Sequence, residues 1–167
     1  YEILNESLKL VPNSFSLDNF RRGWQGFGRL TFAHFFRNSF VITTAATAGI
    51  TLSSAMVAYA FSRLRFPGRQ VLFISMMATL MLPAQVVMIP QYIIFRNLGF
   101  INTYVPLILP AWFSRAFFVF MIMQFIRGLP KELDEAAIID GCSFYSVFYR
   151  ITMPLIKPAL ITTIIIN

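Results

Sequence analysis

Residues 38–61, NSFVITTAATAGITLSSAMVAYAF, hold no charged side chain. As a helix they would rise about 36 Å, enough to cross a hydrocarbon core of about 30 Å. Ala, Gly, Ser and Thr dominate the run, and small residues let helices approach closely in lipid. It reads as a membrane span packed inside a bundle. A second uncharged run follows at 70–95, QVLFISMMATLMLPAQVVMIPQYIIF, interrupted by Pro83 and Pro90. A third covers 104–126, with Pro106 and Pro110 near its start and Arg115 in its middle. Runs this long exclude barrel strands, which need only about ten residues of alternating polarity. In lipid every backbone polar group must be satisfied, which leaves helices. The expected fold class is therefore all-α, a polytopic transmembrane helical bundle.

Composition agrees. Of 167 residues, 57% are hydrophobic and only 13% charged, against about 25% charged in a soluble domain. The net charge of +7 lies between the apolar runs, so it points to membrane orientation and not to nucleic acid. One Cys (Cys142) and one His (His34) exclude an internal disulfide and a Cys/His metal cluster. The first residues, YEILNESLKLVPNS, have no basic n-region and no Met, and the last, PALITTIIIN, read as a span cut partway. The chain is expected to be an internal fragment of a longer protein.

Between the runs lie the connections. Residues 1–37 form a polar loop in which SFSLDNFRRGWQGF has the makings of a short amphipathic interfacial helix, with Ser16 as its N-cap. SRLRFPGR (62–69) is a tight basic turn. Each proline of the second run should bend or break its helix, so the span would face protein or a wet cavity; Pro83, Gln85 and Pro90 have two readings, a cavity wall or a kink needed only for packing. Arg115 has two readings: a functional charge in the pathway, with Ser114 beside it, or an interfacial side chain if its helix begins near Trp112. The charge rule does not orient the fragment. With 62–69 and 127–157 inside, seven basic residues face six.

The loop after the third run, LPKELDEAAIIDGCSFYSVFYRITMP (129–154), is the polar, acid-rich exception. Glu132, Asp134 and Glu135 suit a helix N-terminus, Gly141 its C-terminal stop, and Ser143 the cap of a second short helix. Leu133, Ala136, Ala137 and Asp140 share one shallow face at helical spacing. A helix–Gly–helix unit of this shape fits a cleft on a soluble partner.

The same residues carry a resemblance. Glu135-Ala136-Ala137, three residues, Gly141, nine residues, Ile151, one residue and Met153-Pro154 are similar to the EAA signature of permease subunits of bacterial ATP-binding cassette importers. Met153 replaces the usual Leu and Cys142 a common Ala. LDNFRRGW, AYAFSRLRFPGR, MLPAQVVMIPQYIIF and LGFINTYVPLILP extend the likeness to the carbohydrate, maltose-permease type, from about residue 12 onward. The resemblance implies an ABC importer type I permease fold in the bacterial cytoplasmic (inner) membrane, here a fragment lacking the first and last spans. It implies an outer loop at 1–37, spans at about 38–61, 70–95 and 104–126, a cytoplasmic coupling loop at 127–154, and the start of another span at 155–167.

By that resemblance Glu135, Ala136, Ala137, Asp140 and Gly141 form the coupling helix and its bend. Glu135 is the charged anchor, the alanines are the close-contact face, and Ile151 and Pro154 lead into the next span. Implied partners are a dimer of ATPase subunits, a second and different permease subunit, an extracytoplasmic substrate-binding protein and membrane lipid. ATP and Mg would sit on the ATPase, with no cofactor on this chain, since no GxxxxGK[ST] loop occurs in it. The substrate pathway would include Ser114, Arg115 and Gln85. The expected function is sugar or oligosaccharide import. Alternatives are a permease for amino acids, peptides or another small solute, a membrane scaffold, or an intramembrane enzyme, for which the spans offer no nucleophile–base pair or metal ligands.

Overall fold

A computed structural model describes residues 17–26 and 31–167. It divides into an N-terminal unit through Val41 and a larger unit from Ile42 onward. In the first, α1 covers Asp18–Gln25, the amphipathic helix expected there. The proposed cap Ser16 lies outside the described residues. The Trp24 and Phe32 rings meet with centroids 5.6 Å apart.

Helix α2, Phe32–Arg63, is 32 residues long. It begins six residues before the expected start of the span at 38, so 32–37 are helical. At about 48 Å it exceeds the hydrocarbon thickness. Gly68 (φ 77°) then turns the chain into α3, Arg69–Thr79. The next break falls where Pro83 was expected to place one. Helix α4, Ala84–Asn97, leaves α3 at 101°. Pro90 lies inside α4 without ending it. The second apolar run is thus two helices meeting at a sharp corner. Helix α4 stops at a Gly in the left-handed region: Gly99 N–H reaches the Arg96 carbonyl at 3.1 Å and Phe100 N–H the Phe95 carbonyl at 2.9 Å.

The third run is also divided. Helix α5 (Val105–Ile108) and a 3₁₀ turn (Leu109–Phe113) precede Ser114, after which α6 covers Ala116–Arg127. Helix α7 is Glu132–Ile139 and α8 is Phe144–Val147. A π turn at Phe148–Thr152, helix α9 (Met153–Leu155) and helix α10 (Lys157–Ile166) complete the chain. Among the described residues, Phe32–Arg63 and Val105–Arg127 are by length and composition able to cross a membrane, and counting each bent pair as one span brings the number to four.

The core forms where three helices converge. Val119, Ile122, Met123 and Ile126 are fully buried at i, i+3, i+4, i+7 on α6. They meet Ala55, Ala58, Tyr59 and Phe61 of α2 and Ala159 of α10, and Val147 and Phe148 of the loop close the same cluster. A second cluster joins Ile50, Ala111 and Phe118. There Gly49 lies so close to Trp112 that an added Cβ would overlap the indole. Almost all of α4 is exposed, with only Phe95 buried.

Candidate functional site

Helix α7 is placed by its two ends. Its first turn carries Glu132, Asp134 and Glu135 against the partial positive charge of the unpaired N–H groups. Its last turn closes on Gly141, whose φ of 83° only glycine adopts without strain. Gly141 N–H donates to the Ile138 carbonyl (3.0 Å) and Cys142 N–H to that of Ala137 (2.9 Å), the paired bonds of a Schellman stop. The Ser143 hydroxyl then accepts from Ser146 N–H at 3.3 Å, capping α8.

Helix α2 grips this unit from behind at three points. The Arg63 guanidinium donates to the Leu129 carbonyl at 2.9 Å. Its Nε stands 2.7 Å from Asp134 Oδ2, with side-chain exposures of 8% and 14%. That contact is an ion pair without the alignment of a directed hydrogen bond. The Tyr59 hydroxyl reaches the Phe144 carbonyl at 3.4 Å, beyond the bend. Burial pushes the Asp134 carboxyl above the ordinary range, Arg63 pulls it back, and Glu135 adds a smaller upward push. The sequence marks Arg63 only as a basic residue at a span end and Asp134 only as a first-turn acid; it gives no sign that they meet.

The predicted coupling residues separate by exposure. Glu135, Ala136 and Asp140 face outward, as does Leu133, and Gly141 forms the bend. Ala137 does not join them. At 7% exposure it packs into this chain's own core, so of the two alanines expected on the close-contact face, Ala136 alone is presented. Ile139 (84% exposed) and Tyr145 (78%) extend the outward surface, and the motif reading passed over both. Ile139 had a signal, an apolar side chain beside Asp140 on a short acidic helix, whereas Tyr145 had none. Ile151 is half-buried against the core, and Pro154 lies exposed in α9.

The predicted pathway residues lie at chain breaks. Ser114 holds φ 59° and ψ 165°, a region nearly reserved for glycine. Arg115 is extended and exposed, immediately before α6. Helix α6 thus begins four residues after Trp112, within the apolar segment Val105–Arg127. Gln85 is exposed in the first turn of α4. The cavities beside the α2–α3 turn are lined by other residues. Among the described residues no group of three or more His, Cys, Asp or Glu converges to hold a metal.

Residues 48–167 match the model of a family described as binding-protein-dependent transport system inner membrane component. The chain is 40% identical to the probable ABC transporter permease protein YurM of Bacillus subtilis, over 92% of this chain and 50% of that protein. It is 35% identical to the arabinooligosaccharides transport system permease protein AraQ of Halalkalibacterium halodurans, over 95% of this chain and 57% of that protein. Among solved structures, a bacterial ABC transporter involved in the import of the acidic polysaccharide alginate superposes with a TM-score of 0.75. The identity there is 25%, over 98% of this chain and 56% of that one. The chain spans about half the length of the relatives it matches.

Proposed function

Because this chain belongs to the family of binding-protein-dependent transport system inner membrane components, we propose that it is part of a permease subunit of an ATP-binding cassette importer for a sugar or oligosaccharide. Its helices would form part of one half of the transmembrane route. A separate ATPase dimer would hydrolyse ATP with Mg. A second permease subunit would complete the route, and an extracytoplasmic binding protein would deliver the solute. Helix α7 and its Gly141 bend would dock on the ATPase from the cytoplasmic side.

The observation that carries this reading is the hold of α2 on the coupling loop. Arg63 fixes the Leu129 carbonyl and the Asp134 carboxylate, and Tyr59 fixes the Phe144 carbonyl. Force applied to the outward face of α7 therefore has a direct mechanical path into the longest helix. Closure of the ATPase dimer would tilt α7, α2 would follow, and access would switch between the two sides as a rigid-body change. The relatives' names support an oligosaccharide as cargo.

Glu135→Lys reverses a charge on the docking face. Gly141→Asp puts a side chain where φ is positive. In the complete transporter, reconstituted with its ATPase and binding protein, both should abolish substrate-stimulated ATP hydrolysis and lower uptake at least tenfold while the subunits still co-purify. Wild-type coupling in both variants would overturn the assignment. Uptake of amino acids or peptides in place of sugars would keep the permease and reject the cargo.

A further inference from the structure

The coupling loop does not use most of the basic residues around it. Arg63, Arg65, Arg69, Arg127 and Lys131 all line one cavity of about 570 Å³ between the end of α2 and α7. Two carboxylates, Asp134 and Glu135, share its wall, and Asp134 is taken by Arg63. A smaller cleft of about 340 Å³ adjoins it, lined by Phe61, Arg69, Gln70, Phe73 and Arg127. Arg69 and Arg127 line both. Among the described residues neither forms an ion pair.

We propose that this cleft, between the α2–α3 turn and the end of α6, holds the phosphate headgroup of an anionic phospholipid. The polar side is built for a phosphate. Arg69 is oriented by a hydrogen bond to the Phe61 carbonyl, Arg127 lines the same cleft, and Gln70 beside them carries an amide N–H. Guanidinium groups match phosphate oxygens with paired donors. The apolar side is built for a lipid. Phe61 is buried and meets Phe73 edge-on, with centroids 5.7 Å apart. In the adjoining turns of α3, Val71, Leu72 and Ile74 are exposed and give acyl chains a surface to lie along. Basic pockets between membrane helices on the cytoplasmic side bind anionic headgroups in this manner. The assignment rests on the proposed permease reading, which sets this end of the helices at the cytoplasmic membrane surface.

The test uses the complete transporter in phosphatidylcholine nanodiscs with graded phosphatidylglycerol. Bound phosphatidylglycerol is counted by native mass spectrometry. Arg127→Gln should weaken retention roughly fivefold, from about 1 kcal/mol per basic residue at the membrane surface. Gln70→Glu, which sets a carboxylate in the cleft without touching the Arg69 bond, should weaken it further. Arg22→Gln in α1 should leave retention unchanged. Equal retention by wild type and both cleft variants overturns the site, whatever uptake does. Inorganic phosphate that displaces the lipid stoichiometrically at millimolar concentration would assign the site to a soluble anion and overturn the lipid. Lipid retention that follows the variants in a transporter unable to import any sugar would keep the site and count against the transport reading.

Discussion

Asp134 is held between burial, which favours its neutral form, and Arg63, which favours its charged form; burial is the larger effect, and the carboxyl titrates above the ordinary range. A carboxyl raised in the folded state binds its proton more tightly there than when unfolded. Its contribution to stability is therefore fully present below the unfolded value and is lost as pH rises through the folded value. Thermal unfolding of the purified transporter should show this component on acidification, and Asp134→Asn should remove it. Asp134→Asn and Asp134→Ala both leave the Arg63 charge, 8% exposed, without a counter-ion, at a cost of about 3 kcal/mol near neutral pH. Melting temperatures of both variants equal to wild type there would mean the pair carries no load. Ser114 gives a second prediction at this scale. Its φ of 59° with ψ of 165° stores about 1–3 kcal/mol of backbone strain. Ser114→Gly should release part of it and raise the melting temperature. Ser114→Val should lower it, because a β-branched residue tolerates positive φ least. The opposite order would place the break elsewhere.

Elements differ in how far their own residues dictate them. The break before α4 was legible because Pro83 removes a donor and sits at the corner itself. The stop of α7 was legible because Gly141 supplies the left-handed residue the stop requires, and the start of α8 because Ser143 caps it through its own side chain. These are local signals, each acting within four or five residues. Pro90 carries the same signal, yet α4 continues through it, so a proline in an apolar run does not fix where a helix ends. The division of the third run at Ser114 was not legible either, since serine has no marked preference for that backbone region. Contacts between distant elements were the least accessible. Neither the Arg63 hold on the coupling loop nor the Gly49–Trp112 approach leaves a pattern in the chain, because each joins residues far apart in sequence. The second of these can be tested by volume. Gly49→Ala sets a methyl group into the Trp112 indole and should destabilise by about 1–3 kcal/mol. Adding Trp112→Ala should restore part of that loss, since it removes the obstruction. A double variant no better than the sum of the two single ones would show that α2 does not rest on the 3₁₀ turn.

Across the whole molecule, α6 links two sites of different character. Arg115 and the strained Ser114 precede its first turn, Arg127 ends it, and the Leu129 carbonyl held by Arg63 follows two residues later. Twelve residues make a rod of about 18 Å. Its buried face of Val119, Ile122, Met123 and Ile126 keeps it packed against α2 and α10. A shift at the coupling end should therefore reach Arg115 as a displacement of the whole rod and not as a local rearrangement. On the proposed function, variants on the docking face of α7 should change how ATP hydrolysis is coupled, and a variant at the other end of α6 should change what the route accepts. Arg115 is exposed and extended, free of the packing that assembles the helices, so Arg115→Ala should leave assembly and ATPase docking intact. If the guanidinium reaches sugar hydroxyls or carboxylates in the route, uptake of a panel of labelled neutral and acidic oligosaccharides should change in ratio by at least several-fold. The acidic members should lose most, because they alone lose a carboxylate–guanidinium ion pair. Uniform wild-type uptake across the panel would place Arg115 at the membrane interface, with its charge in the headgroup region and no part in selecting the cargo.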